Sequence, residues 1–292
     1  MNLVTLAEVL AQAEQGNYAV GAFNANNLEI VQAIIGAATS QRSPVIVQAS
    51  QGALKYAGLE QITAMVKTAA RGSHVPVCLH LDHGTDFDQV MRCIHAGFSS
   101  VMIDASAYPL ADNIDRVKQV VAVARAVGVS VEAELGRIGG TEEQVSVSER
   151  EAFFTDPQEA ALFVKETGVD ALAVAIGTAH GPYKGEPKLD LQRLEAIRAL
   201  TQVPIVLHGA SGVPADSIRA AIERGVRKIN IDTDLRQTFT ARMRQVLAEK
   251  PQEYDPRKVL GPAREVLQQA VAEKMKLFGS AGKLLDKSSV WS

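Results

Sequence analysis

Three histidines stand where apolar stretches of the sequence end: His83 in HLDHG, His180 in GTAH and His208 in LHGASG. A single histidine is more often a hydrogen-bonding residue of the core or surface than a metal ligand. Three imidazoles that converge on one point form a ligand set for catalytic Zn²⁺, which keeps a position open and polarises carbonyl oxygens. The pattern therefore predicts a metal site with these histidines as ligands.

Four carboxylates occur at the same stretches: Asp82, Asp104, Glu132 and Glu134. Acids that face a protein interior repel one another unless cations or protons compensate them. A structural network of ion pairs is the alternative, but these stretches supply no matching set of arginines. The acids therefore favour a cationic site. Asp104 and Glu134 fit two roles equally, as ligands of a second metal ion or as partners that orient the histidines.

The segment HLDHG sets a condition on its own backbone. Successive side chains of a strand point to opposite faces, so Asp82 and His83 meet at one site only if the strand ends at residue 82 or 83. Gly84 permits such an ending, because glycine adopts the backbone conformations that turns need. His80 points the same way as Asp82 but lies deeper, which favours packing or support of a ligand over ligation.

The elements that position these residues alternate between β-branched and helix-periodic segments. Eight strands are predicted, at 18–24, 44–50, 75–82, 99–106, 129–136, 171–180, 204–211 and 228–233. Helices are predicted at 28–41, 59–71, 86–97, 110–127, 157–167, 190–200, 214–225 and 234–249. Eight uniform βα units predict an α/β fold, a (β/α)8 TIM barrel, in preference to a doubly wound sheet.

Alternation within the strands predicts which side chains point into the barrel. In VSVEAELG, apolar residues alternate with Glu132 and Glu134, and in KINIDT isoleucines alternate with Asn230 and Asp232. The outer face of a barrel strand packs under helices, so the apolar series points outward and the polar series inward. The polar residues cluster at the carboxyl ends of the strands, where barrel active sites are built.

Two stretches after the last two strands, HGASG (208–212) and NIDTD (230–234), combine glycine with hydroxyl side chains. Loops at this place in a barrel commonly bind phosphate through backbone N–H groups and helix N-termini. Gly209, Ser211 and Thr233 could donate there. The sequence has no Walker A motif and no GxGxxG after a strand, so nucleotide cofactors are not indicated.

The segment after the fifth predicted strand, 136–157, is long, polar and opened by Gly139 and Gly140. It is typical of a mobile lid, from which Glu142 and Glu143 could enter the site as bases. The alternative, that these acids are solvated residues of an ordinary loop, is equally compatible with the composition.

Composition and charge exclude several classes of protein. Of the 292 residues 47% are hydrophobic and the net charge is −3, so nucleic acid and anionic membrane surfaces are not expected partners. The apolar runs are too short to span a bilayer, and MNLVTLAEVLAQAEQ predicts an amphipathic helix capped at Thr5 rather than a signal peptide. Cys78 and Cys93 have no CxxC partner, which favours reduced thiols in a cytoplasmic protein.

The regular series of units predicts a single barrel domain over residues 1–292, with 250–292 as a C-terminal helical extension that could form an oligomer contact. From the residues alone, the sequence predicts a metal-dependent barrel enzyme that acts on a phosphorylated, carbonyl-bearing small molecule.

Seven motifs occur in order across nearly the whole chain: HLDHG, SVMIDAS, VEAELGRIGG, GTAHGPYKGEP, LHGASG, KINIDTD and YDPRK. Together they resemble the class II (zinc-dependent) fructose-1,6-bisphosphate aldolases and the closely related tagatose-bisphosphate aldolases. The resemblance implies reversible cleavage of fructose 1,6-bisphosphate to dihydroxyacetone phosphate and glyceraldehyde 3-phosphate in glycolysis and gluconeogenesis. GPYKGEP and YDPRK favour fructose over its C4 epimer tagatose. A metal-dependent hydrolase or isomerase on the same barrel, and a non-catalytic binding protein, are the alternatives.

The resemblance also implies roles for individual residues. His83, His180 and His208 would bind the catalytic zinc, and Asp104 and Glu134 would form an additional metal position. A monovalent cation, Na⁺ or K⁺, also belongs to the family pattern, near Gly181 and Gly209.

Two acids would transfer protons. Asp82 would take the proton of the C4 hydroxyl during cleavage and return it in condensation. Glu142, on the lid, would move the proton at the carbon of dihydroxyacetone phosphate that becomes nucleophilic. The family position before this base is often acidic and is Thr141 here. A class I aldolase would use a Schiff-base lysine instead, but the sixth predicted strand has none and Lys228 only starts the eighth.

Further residues match the family's contacts with substrate. Those for the ketose-side phosphate are Gly181, Lys184, Gly209, Ser211, Asp232 and Thr233. Asn230 would contact the enediolate, and Asn24 and Ser50 match positions near the other end of the substrate. Arg257 would reach the far phosphate in a neighbouring subunit, which implies a homodimer or homotetramer.

Overall fold

The strands of the computed structural model form a closed barrel and a small second sheet. The structure describes residues 3–142, 145–147, 154–183 and 185–284. Its strands are β1 (Val20–Asn24), β2 (Val45–Ser50), β3 (Val77–Gly84), β4 (Ser100–Ile103), β5 (Ser130–Leu135), β6 (Gly139–Glu142), β7 (Val145–Val147), β8 (Ala171–Val174), β9 (Ala179–His180), β10 (Ile205–Leu207) and β11 (Val226–Ile231). The barrel order is β1-β11-β10-β8-β5-β4-β3-β2, all parallel, and β7-β6-β9 form the second sheet.

Helices surround the barrel in the alternating order that the sequence predicts. Those in the described residues are α1 (Leu6–Gly16), α2 (Leu28–Gln41), α3 (Gln51–Ala57), α4 (Leu59–Arg71), α5 (Phe87–Ala96), α6 (Leu110–Ala126), α7 (Pro157–Thr167), α8 (Leu191–Thr201), α9 (Ala215–Glu223), α10 (Thr233–Glu249) and α11 (Pro256–Leu277). The eight predicted helices are confirmed, and their ends lie within two residues of those expected. The short α3 was not predicted. The (β/α)8 barrel is therefore confirmed.

Side chains on β3 show that the predicted alternation is correct. Val77, Leu79 and Leu81 point outward and belong to the core between the barrel and its helices. Cys78 points inward and belongs to a separate apolar cluster inside the barrel. The inner series continues upward with the fully buried His80. The barrel interior therefore changes from apolar to polar along one strand.

Helix α1 closes the amino-terminal end of the barrel. It begins after the capping box of Thr5 and Glu8, as predicted, and packs against β1, β3, β5 and β11. The apolar cluster it forms with the barrel interior consists of Leu6, Val9, Leu10, Ala13, Tyr18, Val20, Ala22, Ile46, Cys78, Ala171, Ala173 and Val206. Because apolar side chains fill this end, the polar side chains of the interior are confined to the carboxyl end of the strands.

The C-terminal extension is mainly one long helix, α11. It packs against α2 and α10, and the backbone carbonyl of Phe278 accepts a hydrogen bond from Ala19 N at the start of the barrel. Residues 285–292 of the predicted extension lie outside the described residues. The assignment of the chain to a single domain stays a prediction. In the described part of the chain, no helix is long and apolar enough to cross a membrane.

The predicted strand 171–180 is wrong in its length. Strand β8 ends at Val174, and β9 pairs with β6 in the second sheet rather than with the barrel. The ladder stops because Thr155 binds the next residue on both sides: Thr155 N donates to Ala175 O at 3.0 Å, and Ala175 N donates to Thr155 Oγ1 at 2.8 Å. His180 therefore reaches the barrel mouth from β9 of the second sheet and not from a barrel strand.

Candidate metal centre and active site

The three predicted histidine ligands meet at the carboxyl end of the barrel. His83, His180 and His208 are buried, and their ring centroids lie 4.8–5.8 Å apart. One nitrogen from each ring lies within 4.8 Å of the others. Imidazole nitrogens bind Zn²⁺ at about 2.0–2.1 Å, and three of them leave a position open for substrate. The donor set and its spacing therefore fit a single metal ion.

A bulge in β3 lets Asp82 and His83 face the same site. The strand pairs with β4 beyond His83, up to Gly84, so the expected ending at residue 82 or 83 is wrong. The register instead shifts between Leu81 and Gly84, and His83 has a left-handed φ of 47°. This single residue absorbs the change of direction that a strand ending would have provided.

Gly84 serves this bulge through its lack of a side chain. A Cβ atom built on Gly84 would lie 2.6 Å from Met102 O, closer than non-bonded atoms approach. The open space lets β4 continue beside the bulge, where Asp104 N donates to Gly84 O at 2.8 Å. Glycine is therefore needed for close strand contact rather than for a turn.

Asp104 orients the His83 ring. Its Oδ2 lies 2.9 Å from His83 Nδ1, so His83 Nε2 is left to face the other histidines. Burial alone would raise the pKa of the Asp104 carboxyl, but the hydrogen bonds from His83 and from the Ser106 amide hold that pKa well below its ordinary value. A carboxylate that accepts from the distal ring nitrogen fixes the tautomer that binds metal.

Glu132 does the same for His208. Its Oε1 lies 2.8 Å from His208 Nε2, whereas His208 Nδ1 lies 3.0 Å from His83 Nε2. The two nitrogens that converge are therefore His83 Nε2 and His208 Nδ1. Burial lowers the pKa of His208, which favours the neutral imidazole that metals require.

Asp104 and Glu134 also have the spacing of a second metal position. One atom each of His83, Asp104 and Glu134 lies within 4.8 Å of the others, and Glu134 Oε2 is 3.9 Å from His208 Nδ1. Both roles considered from the sequence therefore have a geometric basis, with Asp104 already in place as the partner of His83.

Glu132 is paired with a buried lysine, Lys228. Lys228 Nζ lies 2.9 Å from Glu132 Oε2, and both side chains are fully buried. Burial alone would raise the pKa of Glu132, but Lys228 and the hydrogen bond from His208 hold it well below its ordinary value. The alternative of a structural ion pair, disfavoured from the sequence for lack of matching arginines, is therefore realised at Glu132 with a lysine.

Asp82 is held by three amide side chains. Asn24 Nδ2 and Gln48 Nε2 donate to its Oδ2 at 2.9 and 3.0 Å, and Asn230 Nδ2 donates to its Oδ1 at 3.2 Å. Asp82 is fully buried within the barrel. These donors fix the carboxylate in position.

The predicted phosphate loops lie together at the start of α10. Ser211 Oγ accepts from Asp234 N at 3.3 Å, in the first turn of that 17-residue helix. Asp232 precedes the helix and accepts from Arg236 Nε at 2.7 Å. The N–H groups of a first helical turn, together with the helix dipole, make such a helix start favourable for anions.

Tyr183 joins the loop of β9 to the loop of β10. Its hydroxyl accepts from Ala179 N and donates to Gly209 O, both at 2.7 Å. Gly209 has a φ of 61°, and a Cβ there would lie 2.5 Å from Ala179 O. The close approach of these two loops therefore requires glycine at position 209.

Comparison with known proteins decides the family. Residues 4–283 match the family model described as fructose-bisphosphate aldolase class-II. The chain belongs to the class II fructose-bisphosphate aldolase family. As a member of this family it is an aldolase, a lyase, and both fold and motif order agree with that assignment.

Individual relatives of this aldolase match it over nearly their whole length. The fructose-bisphosphate aldolase of Thermus caldophilus is 48% identical, over 96% of this chain and 99% of its own. That of Geobacillus stearothermophilus is 49% identical, over 97% and 99%. Among solved structures, the YdjI aldolase from Escherichia coli K12 is 33% identical with a TM-score of 0.85, covering 97% of this chain and 100% of that chain.

Some predicted site residues of the aldolase lie away from this cluster or outside the described residues. Arg257 is in the first turn of α11, where its side chain is 90% exposed and its guanidinium binds Asp255. Ser50, by contrast, lies beside the cluster, in register with Asp82 at the end of β2, where it caps α3 by accepting from Ala53 N at 3.2 Å. Glu142 lies in β6, paired with β7 in a hairpin rather than in a loop, and its side chain is outside the described residues. Glu143 and Lys184 are entirely outside them.

Proposed function

We propose that this aldolase reversibly cleaves fructose 1,6-bisphosphate to dihydroxyacetone phosphate and glyceraldehyde 3-phosphate. The observation that carries the proposal is the convergence of three histidines beside a fixed carboxylate. Asn230 lies between the two parts: its Nδ2 donates to Asp82 Oδ1 at 3.2 Å and lies 3.3 Å from His208 Nε2. Relatives 45–49% identical over 96–97% of this chain carry the name fructose-bisphosphate aldolase, which favours fructose over tagatose bisphosphate.

Zn²⁺ is the metal proposed for the histidine cluster, held by His83, His180 and His208. The carboxylate partners of His83 and His208 support this choice, because Zn²⁺ prefers nitrogen donors fixed by such hydrogen bonds. When bound, the ion supplies a Lewis acid for the carbonyl oxygen of the ketose. Asp104 and Glu134 fit a second divalent ion, and a monovalent cation near Gly181 and Gly209 belongs to the same proposal.

Asp82 is proposed to move the proton of the C4 hydroxyl. As the C3–C4 bond breaks, the C4 oxygen becomes a carbonyl and its proton passes to Asp82; in condensation the proton returns. The three amide donors support this role because they hold the carboxylate still, and a positioned base contributes about 10²–10⁴-fold to rate. The electron pair left at C3 takes a proton from Glu142, which yields dihydroxyacetone phosphate.

The phosphate on the ketose side is proposed to bind at the start of α10. Gly209, Ser211 and Thr233 supply N–H and hydroxyl donors there. Further contacts are proposed for Gly181, Lys184 and Asp232. Asn230 is proposed to contact the reacting carbons as well as Asp82.

The opposite end of the substrate is proposed to approach Asn24 and Ser50. Arg257 is proposed to complete that end in a second subunit, which its exposure on α11 supports. The protein would then be a homodimer or homotetramer. A cytoplasmic location is proposed as well, because the free thiols of Cys78 and Cys93 suit a reducing compartment.

Cleavage assays on the two epimeric bisphosphates test the proposal. Zinc-loaded enzyme is expected to release triose phosphates from fructose 1,6-bisphosphate with a higher kcat/KM than from tagatose 1,6-bisphosphate. A preference for tagatose would overturn the substrate assignment. Release of inorganic phosphate without triose phosphates would instead indicate a hydrolase.

A further inference from the structure

Lys228 occupies an unusual place for a lysine, inside the barrel beneath the histidine cluster. It lies in β11, and its side chain is fully buried. A buried ammonium group is costly unless it is paired and hydrogen-bonded. Lys228 Nζ has two such partners, Glu132 Oε2 at 2.9 Å and Asn230 Oδ1 at 2.8 Å. Each partner leads to a different part of the site.

The first partner, Glu132, connects Lys228 to a proposed metal ligand. Glu132 uses one oxygen for Lys228 and the other for His208 Nε2, at 2.8 Å. His80 Nε2 also lies 3.5 Å from the oxygen that Lys228 binds, and the other ring nitrogen of His80 lies 2.8 Å from Ser100 Oγ. Lys228 thus fixes the rotamer in which Glu132 turns His208 Nδ1 toward the other histidines.

The second partner, Asn230, connects Lys228 to the proposed proton carrier. The ammonium group of Lys228 can only donate, so the atom of Asn230 that faces it must be the amide oxygen. The amide nitrogen then faces Asp82 Oδ1, at 3.2 Å. If the amide were reversed, its oxygen would oppose the carboxylate. Lys228 therefore selects the one orientation in which Asn230 supports Asp82.

We propose that Lys228 is a positioning residue whose single buried charge orients both the proposed metal ligand His208 and the proposed proton carrier Asp82. It acts on His208 through Glu132 and on Asp82 through Asn230. This inference rests on the proposed function for its effect on turnover, but its effect on metal binding does not require any substrate.

The variant Lys228→Met tests the inference, because methionine keeps an unbranched chain and removes the charge. Its Zn²⁺ dissociation constant is measured by competition with a chelator and is expected to rise about 10-fold or more, as for other partners of metal-binding histidines. At saturating Zn²⁺, kcat is expected to fall about 10- to 100-fold while KM changes little, because a displaced catalytic group lowers rate rather than phosphate binding.

Two further variants separate positioning from folding. Lys118→Met removes a surface lysine that lies 3.5 Å from Glu166, and it is expected to leave zinc affinity and kcat unchanged. The double variant Lys228→Met/Glu132→Gln removes the whole buried pair and so leaves no uncompensated charge. This double variant replaces Lys228→Met in the measurements if the single variant does not fold. The amide oxygen introduced at position 132 can still accept from His208, but Lys228 no longer fixes its rotamer, so zinc affinity is expected to stay about 10-fold or more below that of the parent and kcat to stay low.

The outcomes are decisive in either direction. A folded Lys228→Met protein with unchanged zinc affinity and unchanged kcat would overturn the inference. A Lys228→Met protein with reduced zinc affinity but normal kcat at saturating Zn²⁺ would overturn only the proposed effect of Lys228 on Asp82 through Asn230. If the parent enzyme itself cleaves no bisphosphate, the proposed function fails. The zinc affinities still test whether Lys228 acts on His208 through Glu132.

Discussion

His83 Nδ1 lies 2.9 Å from Asp104 Oδ2, and the opposite nitrogen of the same ring lies 3.0 Å from His208 Nδ1. One hydrogen bond thus determines which edge of His83 faces the cluster. The left-handed backbone at His83 brings the ring to this position, and the carboxylate then selects its tautomer. The site is built as much by these supporting contacts as by the proposed ligands.

Asp104→Ala should therefore weaken zinc binding. Loss of the carboxylate frees the His83 ring, and such changes typically cost roughly 10- to 100-fold in metal affinity. Asp104→Asn keeps an acceptor for His83 Nδ1 and should lose less. Competition with a chelator measures both constants. Equal affinity in all three proteins would contradict the orienting role.

Asp82→Asn should remove catalysis but leave the metal site intact. The amide matches the shape of the carboxylate but cannot take a proton, so kcat should fall by about 10²–10⁴-fold. Zinc content should equal that of the parent, because Asp82 is not among the proposed ligands. Steady-state cleavage assays and metal analysis on the same samples check this. A kcat within about threefold of the parent would exclude Asp82 as the proton carrier.

Ser211→Ala should raise KM for the bisphosphate and change kcat little. The hydroxyl accepts from Asp234 N in the first turn of α10, and it is proposed to contact a phosphate that does not react. Loss of uniform binding of this kind raises KM alone. The exposed Ser40 offers the control variant Ser40→Ala. An unchanged KM would show that the phosphate does not bind at Ser211.

Leu10→Ala should destabilise the protein without impairing the site. Leu10 is fully buried in the apolar cluster that closes the amino-terminal end of the barrel, and a leucine-to-alanine change in a core costs about 2–5 kcal/mol. Urea unfolding should show this loss, while kcat of the folded fraction stays at the parent value. A large fall in kcat below the unfolding transition would show that the two ends of the barrel are coupled.

Periodicity alone was sufficient for the fold and for placing the inward polar side chains at one end of the barrel. Apolar alternation on β3 and β5 predicts which side chains enter the barrel, and the carboxyl ends of parallel strands necessarily meet. The same alternation places Lys228 and Gln48 inward, on the faces of Asn230 and Ser50. These two residues were therefore predictable, but a lysine at the start of an apolar run was interpreted as a strand boundary.

Other features depend on tertiary contacts that a single sequence does not display. The bulge at His83 arises from the pairing of β3 with β4, and strict alternation predicts a strand ending there instead. Strand β8 stops because Thr155, distant in sequence, binds the backbone of Ala175. In both cases, hydrogen bonding between residues distant in sequence determines the course of the strand, and no local sequence signal predicts it.

The central claim is that His83, His180 and His208 together hold the ion on which cleavage depends. The most direct test is to strip the enzyme with a chelator, return Zn²⁺ stepwise, and measure bound zinc and fructose 1,6-bisphosphate cleavage on the same samples, for the parent and for His83→Ala, His180→Ala and His208→Ala. Activity should rise in proportion to bound zinc in the parent, and each variant should bind less zinc and remain inactive. Cleavage that persists in the stripped parent, or a folded histidine variant with parental zinc content and rate, would contradict the account.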